Sequence, residues 1–216
     1  MRIDKVILKA VLSTLLAIIV LCGVMVTALV FLYPSTLMEI SYNVGMDSAS
    51  AWFADRAYNQ SDNIYYIGYA TEVAIGAKNP EPEAIEKYGE KFIADEQFPK
   101  YCAEMDELSA EAGITGSYAQ YIYGQVYTAK YRLGKKTEAV EAAFAVNRDS
   151  FPRNNAVAAV LFAALDDGSG GDIDTMKLLL EGMQELKTQA VDFPDEDLDY
   201  LNALIKLTAE RMDELS

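Results

Sequence analysis

Residues 121–144 read YIYGQVYTAKYRLGKKTEAVEAAF. Tyr123, Tyr127 and Tyr131 are spaced four apart, which puts them in a row along one helix. Gly124 lies beside that row and leaves room for a neighbouring helix. Gly134 ends the first helix, and Thr137 and Glu138 sit early in a second, where the helix dipole favours an acid. The segment therefore predicts two helices joined by a tight turn. An amphipathic hairpin of this size cannot bury its own apolar face; stacking successive hairpins makes a continuous core.

Outward from this hairpin the same logic repeats. Tyr65-Tyr66-Ile67-Gly68 followed by Pro82-Glu83-Ala84-Ile85-Glu86-Lys87-Tyr88 echoes Tyr121-Ile122-Tyr123-Gly124 followed by Thr137-Glu138-Ala139-Val140-Glu141. The glycine-to-alanine distance is 16 residues in the first copy and 15 in the second. Capping residues, prolines and glycines predict helices at 47–58, 62–77, 81–94, 98–113, 117–132, 137–148, 152–165, 172–190 and 194–216. No period-2 run signals a strand, so the expected class is all-α. The last helix carries Leu198, Leu201, Ile205, Thr208, Met212 and Leu215 at spacings of 3 and 4, a seam suited to capping the end of a stack.

These features resemble the tetratricopeptide repeat. Tyr123-Gly124 and Tyr127 match the first-helix part of that unit. Leu133-Gly134-Lys135-Lys136-Thr137-Glu138-Ala139-Val140 is similar to its turn and second-helix start, and Pro152 to its closing proline. The first helix runs about three residues longer than the family's, and no strict 34-residue period runs through the chain. The resemblance implies an α-solenoid with a scaffold or peptide-binding role and assigns no catalytic residue.

The N-terminus has a different character. Arg2, Lys5 and Lys9 stand against one acid, Asp4, and residues 10–33 (AVLSTLLAIIVLCGVMVTALVFLY) carry no charge. As a helix this stretch spans roughly 36 Å, against about 30 Å for a bilayer's hydrocarbon core. The basic flank predicts a single-pass anchor in the cell membrane, with residues 1–9 cytoplasmic and everything after Tyr33 extracytoplasmic. A cleaved signal peptide ending near Val26-Thr27-Ala28 is the rival, but its apolar core would be shorter. A lipoprotein signal at Cys22 lacks the small residue it needs before the cysteine, since Leu21 stands there. The organisation expected is a basic tail (1–9), a membrane helix (10–33), a connector (34–45) and a helical domain (46–216).

Composition narrows the function. The 216 residues contain no histidine and two cysteines, with 18 basic against 33 acidic residues and a net charge of -15. Histidine-dependent triads, HExxH zinc sites and four-thiolate metal sites are excluded. Setting aside Arg2, Lys5, Lys9 and Asp4 leaves 15 basic and 32 acidic residues after Tyr33, a net -17 that disfavours nucleic acid and favours basic partners. Cys102 is the only cysteine beyond the anchor and reads as a buried apolar residue. An extracytoplasmic body without a disulfide suggests a bacterial surface. Asp166, Asp167, Asp172 and Asp174 fail the calcium-loop spacing and read as a solvated turn with a helix cap. No cofactor is expected. Tyrosine is the enriched residue, with 14 copies. Tyr65, Tyr69, Tyr123, Tyr127 and Tyr131 are the candidate partner-binding residues, if their rows line a concave face. The expected function is a membrane-anchored adaptor for a protein or peptide, the alternatives being a glycan- or small-ligand-binding module and, more remotely, a hydrolase built on acidic pairs.

Overall fold

The computed structural model describes the backbone of residues 2–168, 171–189 and 193–215, with side chains from Lys9 onward. Ser169 and Gly170 of the loop before the eighth predicted helix, Ala190 at that helix's expected end, and the chain ends Met1 and Ser216 lie outside the described residues. Among these residues there are eleven helices and no strand: α1 (Arg2–Leu32), α2 (Pro34–Asn43), α3 (Asp47–Ser61), α4 (Ile64–Gly76), α5 (Pro82–Ile93), α6 (Phe98–Glu111), α7 (Tyr118–Arg132), α8 (Lys136–Val146), α9 (Ala156–Leu165), α10 (Ile173–Gln189) and α11 (Asp195–Leu215).

Two stretches differ from their sequence reading. The connector at 34–45 is mostly helix. Pro34 starts a new helix rather than only stopping the old one, because its fixed φ suits the first helical turn. The break between α1 and α2 falls at Tyr33, whose φ of -135° and ψ of 50° leave the helical region. The helix expected to open at 152 begins instead at Ala156. Asn155 is its cap, accepting from Ala158 N–H at 2.9 Å, while its own amide donates to Pro152 O at 2.8 Å. The turn before it is held down by Phe151, which is fully buried and whose N–H donates to Asp197 Oδ2 at 2.9 Å.

The chain divides into two compact units, Met1–Val73 and Ala74–Ser216. In the first unit, Lys9–Leu32 is long and apolar enough to cross a membrane, with a mean hydropathy of 3.0 and no burial. Its polar side chains are satisfied internally: Ser13 and Thr14 donate to Ala10 O, and Thr27 donates to Gly23 O. The end of this helix is tied to α3. Gln60 Nε2 donates to Phe31 O at 2.6 Å, and the Arg56 guanidinium lies 3.9 Å from the centre of the Phe31 ring. α2 packs along α3, where buried Ser50 donates to Met38 O at 3.0 Å.

In the second unit α7 is the central helix, packed by α5, α6, α8 and α9. α8 also meets α9 and α10, α9 meets α10, and α11 covers α10. On α11, Leu201, Leu204 and Thr208 are buried and Leu198, Ile205, Met212 and Leu215 half-buried, so the seam faces the protein. Small residues set the helix spacing. A Cβ added at Gly89 would overlap Val126 Cγ2, one added at Gly124 would lie 3.0 Å from Ala159 Cβ, and one added at Gly182 would overlap the Phe144 ring. Each glycine therefore marks a close helix crossing: α5 on α7, α7 on α9, and α8 on α10.

Val126 is fully buried and β-branched, so it cannot swing aside. Gly89→Ala gains up to about 1 kcal/mol of helix propensity but overpacks the crossing at about 1–3 kcal/mol. Thermal unfolding of the full chain is expected to show a net loss of stability, relieved by adding Val126→Ala. A stabilised single variant would show that α5 and α7 are not in this contact.

Candidate functional site

The crossing of α7 and α9 leaves a groove enclosing about 610 Å³. One wall is Gln125, Thr128 and Arg132 of α7; the other is Ala159, Phe162 and Ala163 of α9. Alanines on α9 hold the wall low, and Phe162 rises from it as an aromatic side chain that is 49% exposed. Arg132 is exposed and makes no ion pair among the described residues. Asp166 stands exposed beyond Phe162. The groove thus offers a cation from α7 and an aromatic face from α9, with a carboxylate just past the end of α9 and amide and hydroxyl groups on the α7 wall.

One end of the groove is a polar network. The Tyr131 ring is buried, and its hydroxyl donates towards Asp172 Oδ2 at 3.1 Å and Asp167 Oδ2 at 3.2 Å. Lys136 Nζ lies 2.7 Å from the same Asp172 oxygen, and Thr175 donates to Asp172 through its hydroxyl at 2.6 Å and its backbone N–H at 3.3 Å. Burial alone pushes the Asp172 carboxyl up, but these donors outweigh it, Lys136 foremost, and bring it down to about 2. The same burial and the adjacent carboxylates push the Tyr131 hydroxyl up, so it stays protonated and donates. Two further ion pairs fasten the α7 end to α5: Lys130 to Glu90 at 2.5 Å, and Lys135 to both oxygens of Glu86 at 2.7 Å.

The five tyrosines singled out in the sequence have different surroundings. Tyr131 lines the groove. Tyr123 and Tyr127 stack on each other, ring centres 5.9 Å apart and 12° from parallel, and Tyr123 leans on Phe98 at 5.6 Å. Phe98 in turn meets Phe92, which meets Tyr101. Tyr127 is buried, its hydroxyl pushed up to about 12 mainly by that burial. In the first unit, Tyr65 is 55% exposed, while Tyr69 is half-buried with its hydroxyl 3.1 Å from Ser50 Oγ and its ring edge-on to Tyr42. A row with a four-residue spacing on α7 is therefore not a row in one environment, because successive turns face different neighbours. Cys102 is buried on α6 and its thiol is pushed up to about 12 by burial.

Sequence reasoning missed Arg132, Lys136 and Phe162. Phe162 had a signal: it is the single aromatic in the helix AVAAVLFAAL, three and four residues from Ala159 and from its alanine-rich flank. Of the acidic loop, Asp172 caps α10 as expected, but it is also the hub of the Tyr131–Lys136 network.

Comparisons with protein-family models, curated proteins and solved structures returned no match for this chain.

A carboxylate whose folded pKa is depressed stabilises above its unfolded value and loses that stabilisation as pH falls through the folded one. Asp172→Asn should therefore lower stability at neutral pH, on the order of 2 kcal/mol for charge-assisted hydrogen bonds. The gap from the parent chain should close as pH falls from the ordinary value of 3.8 towards about 2. Chemical denaturation across that range checks it; a gap independent of pH would remove the ion-pair explanation.

Proposed function

We propose that this chain is a single-pass, membrane-anchored adaptor of tetratricopeptide-like helical-repeat type, whose body lies outside the cytoplasm and binds a segment of a partner protein in the α7–α9 groove. The groove is the observation that carries the reading. It takes in the C-terminal half of α7 from Gln125 and α9 from Ala159, with a projecting Phe162 to pack on, and an uncommitted Arg132 and Asp166 that suit the charged and amide groups of a peptide. The carboxylates at its end, Asp167 and Asp172, share the Tyr131 hydroxyl.

The pairing of helices supports the repeat reading. α7 with α8 and α9 with α10 each pack as mates, while α7 meets α9 and α8 meets α10. Each helix thus touches its partner and its counterpart in the next hairpin, the neighbour relation of a helical-repeat stack. The anchor reading draws on the Lys9–Leu32 stretch of α1, uncharged from Ala10 onward, and its orientation on the basic residues Arg2, Lys5 and Lys9 at its start. A body carrying a net -17 beyond Tyr33 selects against anionic partners and draws basic ones.

Two measurements test this. Protease added to intact cells should remove the body; digestion only after lysis would reverse the orientation. A photo-crosslinking residue in place of Phe162 should capture one specific protein from native membranes, and Arg132→Glu should cut that capture several-fold. Thermal shifts with cell-wall saccharides but no crosslinked protein would favour the glycan-binding alternative instead.

A further inference from the structure

A second groove runs between α8 and α10. It holds about 500 Å³. Its floor is apolar: Val140 and Leu186 are buried, Phe144 is half-buried, and Leu178 is 41% exposed. Gly182 shapes it. Lacking a side chain, it lets the Phe144 ring lie across α10 where a Cβ would overlap the ring, so the floor is low and continuous.

The rim is charged, and mostly of one sign. Glu141 rises from α8 and Glu181 and Glu185 from α10, against Arg148 as the one cation among the lining residues. Glu181 and Glu185 are one turn apart, so their carboxylates line up along the edge. All three glutamates are exposed, and none forms an ion pair among the described residues; Glu185 accepts one hydrogen bond, from Gln189 Nε2 at 3.1 Å. Elsewhere on this unit the chain does neutralise its acids with lysine, as in Lys130–Glu90, Lys135–Glu86 and Lys136–Asp172. Here the carboxylates stand unpaired beside exposed apolar surface.

We propose that the α8–α10 groove is a docking site for a basic amphipathic helix of a partner protein. The stretch 178–189 of α10 is about 16 Å long, three turns of a guest helix. A guest with leucine-sized residues every three or four positions would cover Leu178 and the Phe144 ring. Its flanking lysines or arginines would reach Glu141, Glu181 and Glu185. This surface is formed by different helix faces from the α7–α9 groove, and the inference stands whether or not that groove binds a peptide.

The test uses the full chain in nanodiscs of zwitterionic lipid, which leaves a cationic peptide no anionic lipid to bind. The probe is a fluorescent, synthetic Leu/Lys amphipathic peptide of about four turns, with a Leu/Glu peptide of the same pattern as control. Saturable anisotropy change with the Leu/Lys peptide alone is expected. Glu181→Lys with Glu185→Lys should weaken it about tenfold or more, and Leu178→Asp should do likewise. Glu107→Lys with Glu111→Lys on α6 makes the same change in net charge away from the groove and should leave binding within about twofold. All four proteins are compared at equal helicity by circular dichroism, and the altered side chains are exposed ones. No binding of the Leu/Lys peptide, equal weakening by the α6 pair, or dissociation of a chain dimer by the α10 pair without any peptide binding would each overturn the proposal.

Discussion

Close approach to α7 is the constraint from which the second unit follows. α5 reaches it because Gly89 has no side chain to collide with Val126, and α9 reaches it because Gly124 faces an alanine, Ala159. With α5 and α9 brought in on two sides, α7 buries Ile122, Val126 and Ala129 almost completely. Dispersion and apolar burial are short-range, so a helix pair held even an ångström further apart would lose much of both. The third crossing, Gly182 against Phe144, repeats the device between α8 and α10. The large aromatic residues then fill what the small ones leave open, as Phe92, Phe98, Tyr101 and Tyr123 do beside α5 and α6.

The same crossings shape the surface. A groove lies beside two of these crossings, one between α7 and α9 and one between α8 and α10. The α7–α9 groove is closed at one end by the Asp172 network, which ties the turn after α7 to the start of α10 through Tyr131, Lys136 and Thr175. That network also resolves a conflict inherent in the composition. A chain this acidic gathers Asp167 and Asp172 near a buried ring, and it tolerates them by giving the more enclosed one a lysine, a threonine and a tyrosine hydroxyl.

Much of the architecture could be read from residues alone. Gly134 does end α7, Ser117 does cap it by accepting from Gln120 N–H, and Pro82 and Pro99 fall in the first turns of α5 and α6. These are local effects, and local effects are what a single sequence carries. The α9 boundary was less legible because Phe151-Pro152 is compatible with a helix start. What moved the start to Ala156 is the Asn155 cap, together with Gln120 Oε1 accepting from Ala156 N–H, a contact 36 residues away in sequence. The site was legible only in part. Tyr131 stood out by spacing, yet spacing could not tell that Tyr127 turns into an aromatic cluster one turn earlier. Arg132 and Phe162 acquire meaning only once α7 and α9 lie side by side. The Lys9–Leu32 stretch of α1 needed no tertiary information, since its length and its lack of charge from Ala10 onward define it.

If α7 is the shared wall of the unit, its backbone should be the last to open there, because any exchange-competent opening must undo contacts with four other helices. Hydrogen–deuterium exchange on the full chain in nanodiscs measures this directly. The amides of residues 122–129 should be the slowest to exchange between Ala74 and Ser216, and α11, which covers α10 alone among the helices it chiefly meets, should exchange well before them. Exchange of 122–129 as early as that of α11 would contradict the account.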